Sequence, residues 1–285
     1  MPAKLYKILL ILGIAAVLLA IPIFSLSYNP PQELEVDFLD VGQGDAVLIK
    51  TPFGQNILID GGPDNKVIEE LGKNLPFWDK RIDLMVLTHP HDDHVTGLIE
   101  VIKRYSVKKI LYTGVVHSAP NYLAWLEAIR ERKIPLVIID RPQKVVLGNS
   151  CYLEIISPAK SLLARETDNL NNSSIVAKLV YEETVFLFTG DAETEIEKEL
   201  LVSGADLGVQ VLKVGHHGSD TSSSEEFLEA VGPQIAVIQV GKDNDFGHPN
   251  LRILKRLERT GAEVLRSDLD STIKLISNGK EILKR

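Results

Sequence analysis

A single cysteine in 285 residues excludes an internal disulfide, and nothing around it resembles a thiol catalytic site. Cys151 lies in NSCYLEI, a strand entering the core, where a free thiol packs as a small apolar side chain. No cysteine follows the apolar stretch near the N-terminus, which removes a lipoprotein anchor. Positive charge is also scarce. With 31 Lys and Arg against 39 Asp and Glu, the net charge of -8 argues against a general polyanion binder, unless a bound metal reverses the sign locally. Short-period repeats and low-complexity tracts are absent, and histidine occurs only seven times.

The remaining composition is that of a folded protein. Hydrophobic residues make up 45% and charged residues 25%, so a packed core is expected, and the length suits one large domain. Lys4 and Lys7 precede a run from Ile8 to Leu26 that carries no charge. At about 1.5 Å per residue this run approaches the roughly 30 Å bilayer core. Residues 1–27 are therefore expected to form a transmembrane anchor or a signal segment, Ser25 and Ser27 offering a weak cleavage site. Either reading predicts residues 28–285 as the folded domain, outside the cytoplasm, on the membrane or secreted.

After Pro30-Pro31 the chain alternates short apolar runs with amphipathic stretches, the pattern of an α/β fold. LEVDFLDV, AVLIKT and NILIDGG read as strands, NKVIEELGKNL as a helix, RIDLMVLTH as a strand and VTGLIEVIKRY as a helix. ILIDGG (57–62) and FLFTGD (186–191) are both apolar strands ending on Gly and Asp, which suggests two similar halves with their strand ends at one edge.

Three of the seven histidines crowd into LMVLTHPHDDHVTGL, residues 84–98. The spacing predicts a strand to Thr88, a turn, and a helix from near Val95. His89 and His91, if extended, point to one side; Asp93 and His94 approach from the helix start. Neutral imidazoles with a carboxylate suit zinc and related ions. Two adjacent subsites would place His89 and His91 on one ion and Asp93 and His94 on another, leaving Asp92 outside. A structural zinc site would more often use cysteine and close all four positions. Asp45, in GQGDA, reads either as a turn carboxylate or as a partner orienting a metal-bound imidazole.

THPHDDH matches the H-x-H-x-D-H signature of the metallo-β-lactamase superfamily. The resemblance implies a four-layer αβ/βα sandwich with a dinuclear metal site at the edge of two sheets. LIDGG around Asp60 resembles the family's early strand-turn, LFTGD supplies Asp191 where a bridging carboxylate is expected, and VGHHGS supplies His216 as the late ligand with His217 beside it. Further similarity in FLDVGQGDAVLIKTPFGQNILIDGG, NNSSIVAKL, KVGHHGS and FGHPN points to the ComEC group, the extracytoplasmic nuclease-like domain of a DNA-uptake channel. There the middle histidine ligand is missing, and Asn172 stands near its place. An amide oxygen is a harder ligand than imidazole, so manganese competes with zinc for the two divalent sites.

The resemblance implies hydrolysis by metal-activated water, with DNA as substrate, the DNA-uptake machinery as a partner, and a proton supplied to the departing oxygen by His217 or His248. In LRILKRLERT, Arg252, Lys255, Arg256 and Arg259 share one helical face that would suit a nucleic-acid backbone or anionic lipid, or an ordinary solvated surface. Hydrolysis of a lactone, lactam or thioester is the alternative chemistry; a non-catalytic surface binding module is the reading if no metal binds. His117, in GVVHSAPNY, carries no expected role.

Overall fold

Alternation within single strands sets the architecture. In NILI, Ile57 and Ile59 join one apolar cluster while Leu58 joins another; in TVFLF, Phe186 and Phe188 face the first and Leu187 a third. Successive strand side chains point to opposite faces, so each sheet is apolar on both sides and must be covered twice. The computed structural model describes residues 33–285 and, ahead of them, only Leu10, Leu12 and Gly13. The expected N-terminal membrane or signal helix thus lies outside the described residues, among which no helix is long and apolar enough to cross a membrane.

The first half runs β1 (Leu34–Phe38), β2 (Val47–Lys50), β3 (Asn56–Ile59), α1 (Lys66–Asn74), β4 (Arg81–Ile82), β5 (Leu84–Val86), α2 (Asp92–Arg104), β6 (Ser106–Val107), β7 (Ile110–Tyr112), α3 (Pro120–Arg132) and β8 (Leu136–Ile138). The second runs β9 (Gln143–Gly148), β10 (Cys151–Ser157), β11 (Val176–Tyr181), β12 (Thr184–Phe188), α4 (Thr194–Ser203), β13 (Val211–Lys213), α5 (Glu225–Val231), β14 (Ile235–Ile238), α6 (Leu251–Thr260), β15 (Glu263–Arg266), α7 (Ser267–Asp270), β16 (Ile273–Ser277) and β17 (Ile282–Lys284). One sheet has the order β17-β16-β1-β2-β3-β5-β7-β8, the other β15-β14-β13-β12-β11-β10-β9. Each passes from antiparallel hairpins to parallel crossovers, at β3 in one sheet and β12 in the other. The two halves are therefore built alike.

Three cores separate four layers. Phe38 and Phe188, ring centroids 6.1 Å apart, meet between the sheets. Helices α1 to α3 cover one outer face through Leu71, Leu98 and the fully buried Trp125; α4 to α6 cover the other through Leu200, Phe227 and Leu257. Each large apolar side chain so buried contributes about 2 kcal/mol. Cys151 is fully buried in the central core, and burial pushes its thiol up to about 12. The αβ/βα sandwich expected from the motifs is thus present.

Because β3, β5, β12 and β13 run the same way within their sheets, their C-terminal ends present Asp60, His89, Asp191 and the His216–His217 turn along one edge. Helix α2 begins at Asp92, three residues earlier than the spacing predicts. Its first turn holds Asp92 and Asp93, where carboxylates complement the exposed N–H groups and the helix dipole. A Cβ at Gly97 would collide with the Gly61 carbonyl, so only glycine lets α2 approach the end of β3 and set His94 over Asp60.

Candidate metal centre

One carboxylate oxygen is the focus of the edge. Asp191 Oδ2 lies 3.3 Å from His94 Nε2, 3.4 Å from His217 Nε2, 3.8 Å from His89 Nε2 and 3.9 Å from His216 Nε2. Asp93, on the first turn of α2, approaches His217 Nε2 to 3.2 Å. Asp93, His94, Asp191 and His217 each offer an atom within 4.8 Å of the others. Beside this cluster, with the His89 and His94 ring centroids 4.1 Å apart, His89 Nε2 and His91 Nδ1 face each other at 3.1 Å. His89 with His91, and Asp93 with His94, the two pairs expected to form adjacent subsites, are thus both brought to the Asp191 edge.

Hydrogen bonds fix which nitrogen of each ring points inward. His94 Nδ1 lies 2.9 Å from Asp60 Oδ2, so Nδ1 carries the proton and Nε2 is turned to Asp191. His217 Nδ1 lies 2.9 Å from the Gln239 carbonyl, which can only accept; its Nε2 is left buried without a hydrogen-bond partner. Thr88 donates its hydroxyl hydrogen to Asp60 Oδ2 at 2.7 Å and therefore accepts from His89 Nδ1 at 3.1 Å, leaving Nε2 of His89 as a lone pair. Asp60 thus orients one imidazole directly and another through Thr88, the arrangement that tunes metal-ligating histidines. Its carboxyl is itself pushed up by burial.

The charge balance calls for cations. Asp45, Asp60, Asp93 and Asp191 converge on this edge against one buried lysine, Lys213. Burial opposes protonation of His94 and His217 and is the largest single effect at each, but the carboxylates together outweigh it, Asp191 with Asp93 and Asp60 at His94 and Asp191 with Asp45 at His217, and hold both well above the usual histidine range. Burial likewise works against the charged forms of Asp93 and Asp191, yet these two imidazoles hold both carboxyls below their ordinary range. His89 is held well below its usual range by burial and the adjacent His94; His91 and His216 are lowered by burial. With Asp191 Oδ1 and His217 Nε2 buried and lacking hydrogen-bond partners, this donor set fits divalent cations in place of the protons that His94 and His217 otherwise carry.

Several expectations change. The resemblance implies His216 as the late ligand and His217 in proton transfer; the structure brings His217, not His216, into the buried four-residue cluster. His216 is half-buried on the lip, with Nδ1 3.0 Å from Thr221 Oγ1 and 3.5 Å from Glu193. Both residues adopt left-handed backbone conformations (φ 49° and 53°), which swing adjacent rings to different depths. Asn172 does not face the site. Its amide donates to Glu195 at 2.9 Å and its oxygen accepts from Glu193 N at 3.1 Å. The Asn171 amide instead stands 3.5 Å from both ring nitrogens of His216, with a buried, unpartnered oxygen. Residues 171–173 form a 3-10 turn, in which consecutive side chains point about 120° apart, so the choice between the two asparagines is one of phase.

Asp45 is buried beside the cluster: it forms a buried ion pair with Lys213 and lies 3.3 Å from His217 Nδ1, whose hydrogen bond goes to the Gln239 carbonyl. Lys213 was not anticipated; it also donates to the Gly190 carbonyl at 3.0 Å, and Asp45 with Asp191 raises its pKa against the effect of burial. His117 stands on the rim, its ring 6.4 Å from that of His91. His248 stands 5.7 Å from the His216 ring and stacks on Phe246, which is 70% exposed. The basic stripe on α6 is largely neutralised in place. Arg259 pairs with Glu225 at 2.7 Å, Arg256 approaches the same carboxylate at 3.9 Å, Arg252 approaches Asp220 at 4.0 Å, and only Lys255 projects without an acidic partner among the described residues.

Residues 39–242 match the family described as the metallo-beta-lactamase superfamily. The chain is 32% identical over 258 residues to ComE operon protein 3 of Bacillus subtilis, covering 85% of this chain and 33% of that protein. It is 30% identical over 246 residues to competence protein ComA of Neisseria gonorrhoeae, covering 86% and 32%. It therefore spans about a third of the length of these relatives. The fold is similar to that of the metallo-beta-lactamase fold protein YhfI from Bacillus subtilis, with a TM-score of 0.56 at 10% identity over 86% of this chain and 100% of the other. A histidine-aspartate edge between two paired sheets, and a family match across both halves that build it, lead to one assignment: the chain belongs to the metallo-β-lactamase superfamily, in its ComEC-like group.

Proposed function

We propose that the protein is a metal-dependent phosphodiesterase that cleaves DNA outside the cytoplasm. The observation that carries this reading is the convergence of four imidazoles on Asp191 Oδ2, which suits a carboxylate shared between two divalent ions, zinc or manganese. Such a pair, when bound, supplies Lewis acidity toward a phosphoryl oxygen and a water of lowered pKa. His89 and His91 would hold one ion, and Asp93, His94 and His217 the other. Asp60, with Thr88, and the Gln239 carbonyl keep the rings in the tautomers that ligation needs.

His217 lies in the cluster, so a hydrogen bond to the departing oxygen, rather than a proton, falls to His248. Burial, with His217 and His216 nearby, lowers its pKa, and its Nδ1 is without a hydrogen-bond partner. It stands as a neutral imidazole able to offer an N–H to the departing oxygen. Phe246 supplies an exposed ring beside it on which a base can stack, a sequence-tolerant way to hold a single strand. The names of the relatives, a competence protein among them, favour DNA over a small ester.

The test is hydrolysis of labelled single-stranded DNA with manganese or zinc, Asp93→Ala serving as control. Metal-dependent cleavage that disappears in the control supports the reading. A folded, metal-loaded protein that leaves DNA intact overturns the substrate and redirects the search to lactones, lactams or thioesters.

A further inference from the structure

The edge of the sandwich opposite the metal centre carries features that catalysis does not use. We propose that this edge docks on the surface of an anionic membrane, so that the active site faces away from the bilayer. The inference concerns the protein's membrane side and does not depend on the substrate reading above.

Topology identifies the edge. β1 and β3 start there, as does β5, and their opposite ends lead toward the metal site. Helix α2 starts at the metal site with Asp92 and ends, about 20 Å away, at Arg104. Glu35 at the start of β1 contacts Lys50, which also donates to the Asn74 carbonyl at the end of α1. The start of β1 therefore lies beside the end of α1 and the loop that follows it. The chain preceding Leu34 contains the charge-free run Ile8–Leu26.

The loop itself presents Phe77 and Trp78, 81% and 59% exposed, their rings 4.7 Å apart and edge to face. Next to them opens a groove of about 450 Å³ whose charged lining, Lys80, Lys103, Arg104 and Arg132, is wholly basic in a chain of net charge -8. Lys103 and Arg104 share Glu100. Lys80 sits over the Tyr105 ring at 4.9 Å and Arg132 donates to the Lys103 carbonyl at 3.2 Å; neither meets a carboxylate among the described residues. An exposed aromatic pair beside a cationic groove is the chemistry of an interface with anionic headgroups: the rings partition to the headgroup level and the cations meet phosphate.

Tryptophan fluorescence reads the contact directly, because the chain has only two tryptophans and Trp125 is fully buried. The full chain is placed in phosphatidylcholine vesicles with and without phosphatidylglycerol, the acyl chains brominated as quenchers. Quenching that needs the anionic lipid, vanishes in Trp78→Phe, and falls about fivefold in docking equilibrium for each cation removed in Lys80→Gln and Arg132→Gln supports the proposal. A chain that sediments with vesicles while Trp78 stays open to acrylamide overturns the docking edge alone. Equal quenching in neutral lipid overturns the headgroup contact, and protection of Trp78 without vesicles assigns the surface to a second copy instead. Failure to sediment with any vesicle overturns membrane association altogether.

Discussion

Asp60 Oδ2 accepts from His94 Nδ1 at 2.9 Å and, through the Thr88 hydroxyl, also dictates the tautomer of His89. One carboxylate thus governs a ring at each expected subsite. Replacing it should disturb both ion positions, whereas removing the hydroxyl should disturb one.

Asp60→Asn is expected to lower affinity at both subsites by about 10–100-fold, the usual consequence of losing a partner that orients ligating imidazoles. Thr88→Val should weaken only the ion held by His89 and His91. Metal titrations followed by calorimetry separate the two. Equal losses at both subsites in Thr88→Val would contradict the relay.

The two asparagines offer a second discrimination. Asn171 faces His216 while Asn172 faces Glu195. Asn171→His should supply the missing imidazole and shift the first subsite toward zinc over manganese, because imidazole is softer than an amide oxygen. Asn172→His should leave the preference as it is. Competition between the two metals, read by elemental analysis of protein recovered from a mixture, decides it.

How far the residues alone reach is instructive at this site. His89, His91, Asp93 and His94 are legible as candidates because they are nearly contiguous, and Asp60 and Asp191 because each ends an apolar strand in a motif that resembles the family's. The order of His216 and His217 is not legible, since it depends on two successive left-handed residues that the residue types do not demand. Asn171 and Asn172 differ only by the phase of one short turn. Lys213 reads as an ordinary strand lysine until the opposing sheet brings Asp45 beside it. The basic stripe on α6 fails for the reverse reason: its helical spacing is real, but Glu225 and Asp220 come from elsewhere in the chain. Periodicity predicts a face and says nothing of what covers it.

Among the described residues Lys213 is the one lysine buried among the carboxylates of the edge, and removing it takes the lysine from its ion pair with Asp45 and leaves that carboxylate only His217. Breaking a buried pair from one side typically costs about 3–5 kcal/mol. Lys213→Met should therefore destabilise the metal-free protein by that order. Excess divalent metal should recover part of the loss, since it supplies positive charge to the same carboxylates. Urea midpoints measured with and without metal test both statements, and a variant as stable as the parent would show that Asp45 tolerates isolation.

Away from the metal edge, Asp37 on β1 is fully buried, and burial pushes its carboxyl up to about 6 even though Lys50 Nζ lies 3.0 Å away. In the unfolded chain the group titrates near its ordinary value of 3.8. Below about pH 4 it is protonated in both states and costs nothing; between about pH 4 and 6 the unfolded chain releases the proton while the folded chain retains it. The contribution of Asp37 to stability consequently falls as pH rises through this window and levels off above it, by about 3 kcal/mol in all. Asp37→Asn removes the slope. Its stability relative to the parent, followed by urea denaturation of metal-free protein, should rise by that amount from pH 4 to pH 7. A difference that stays flat across the window would mean that Lys50 holds the carboxylate ionised in the folded protein after all.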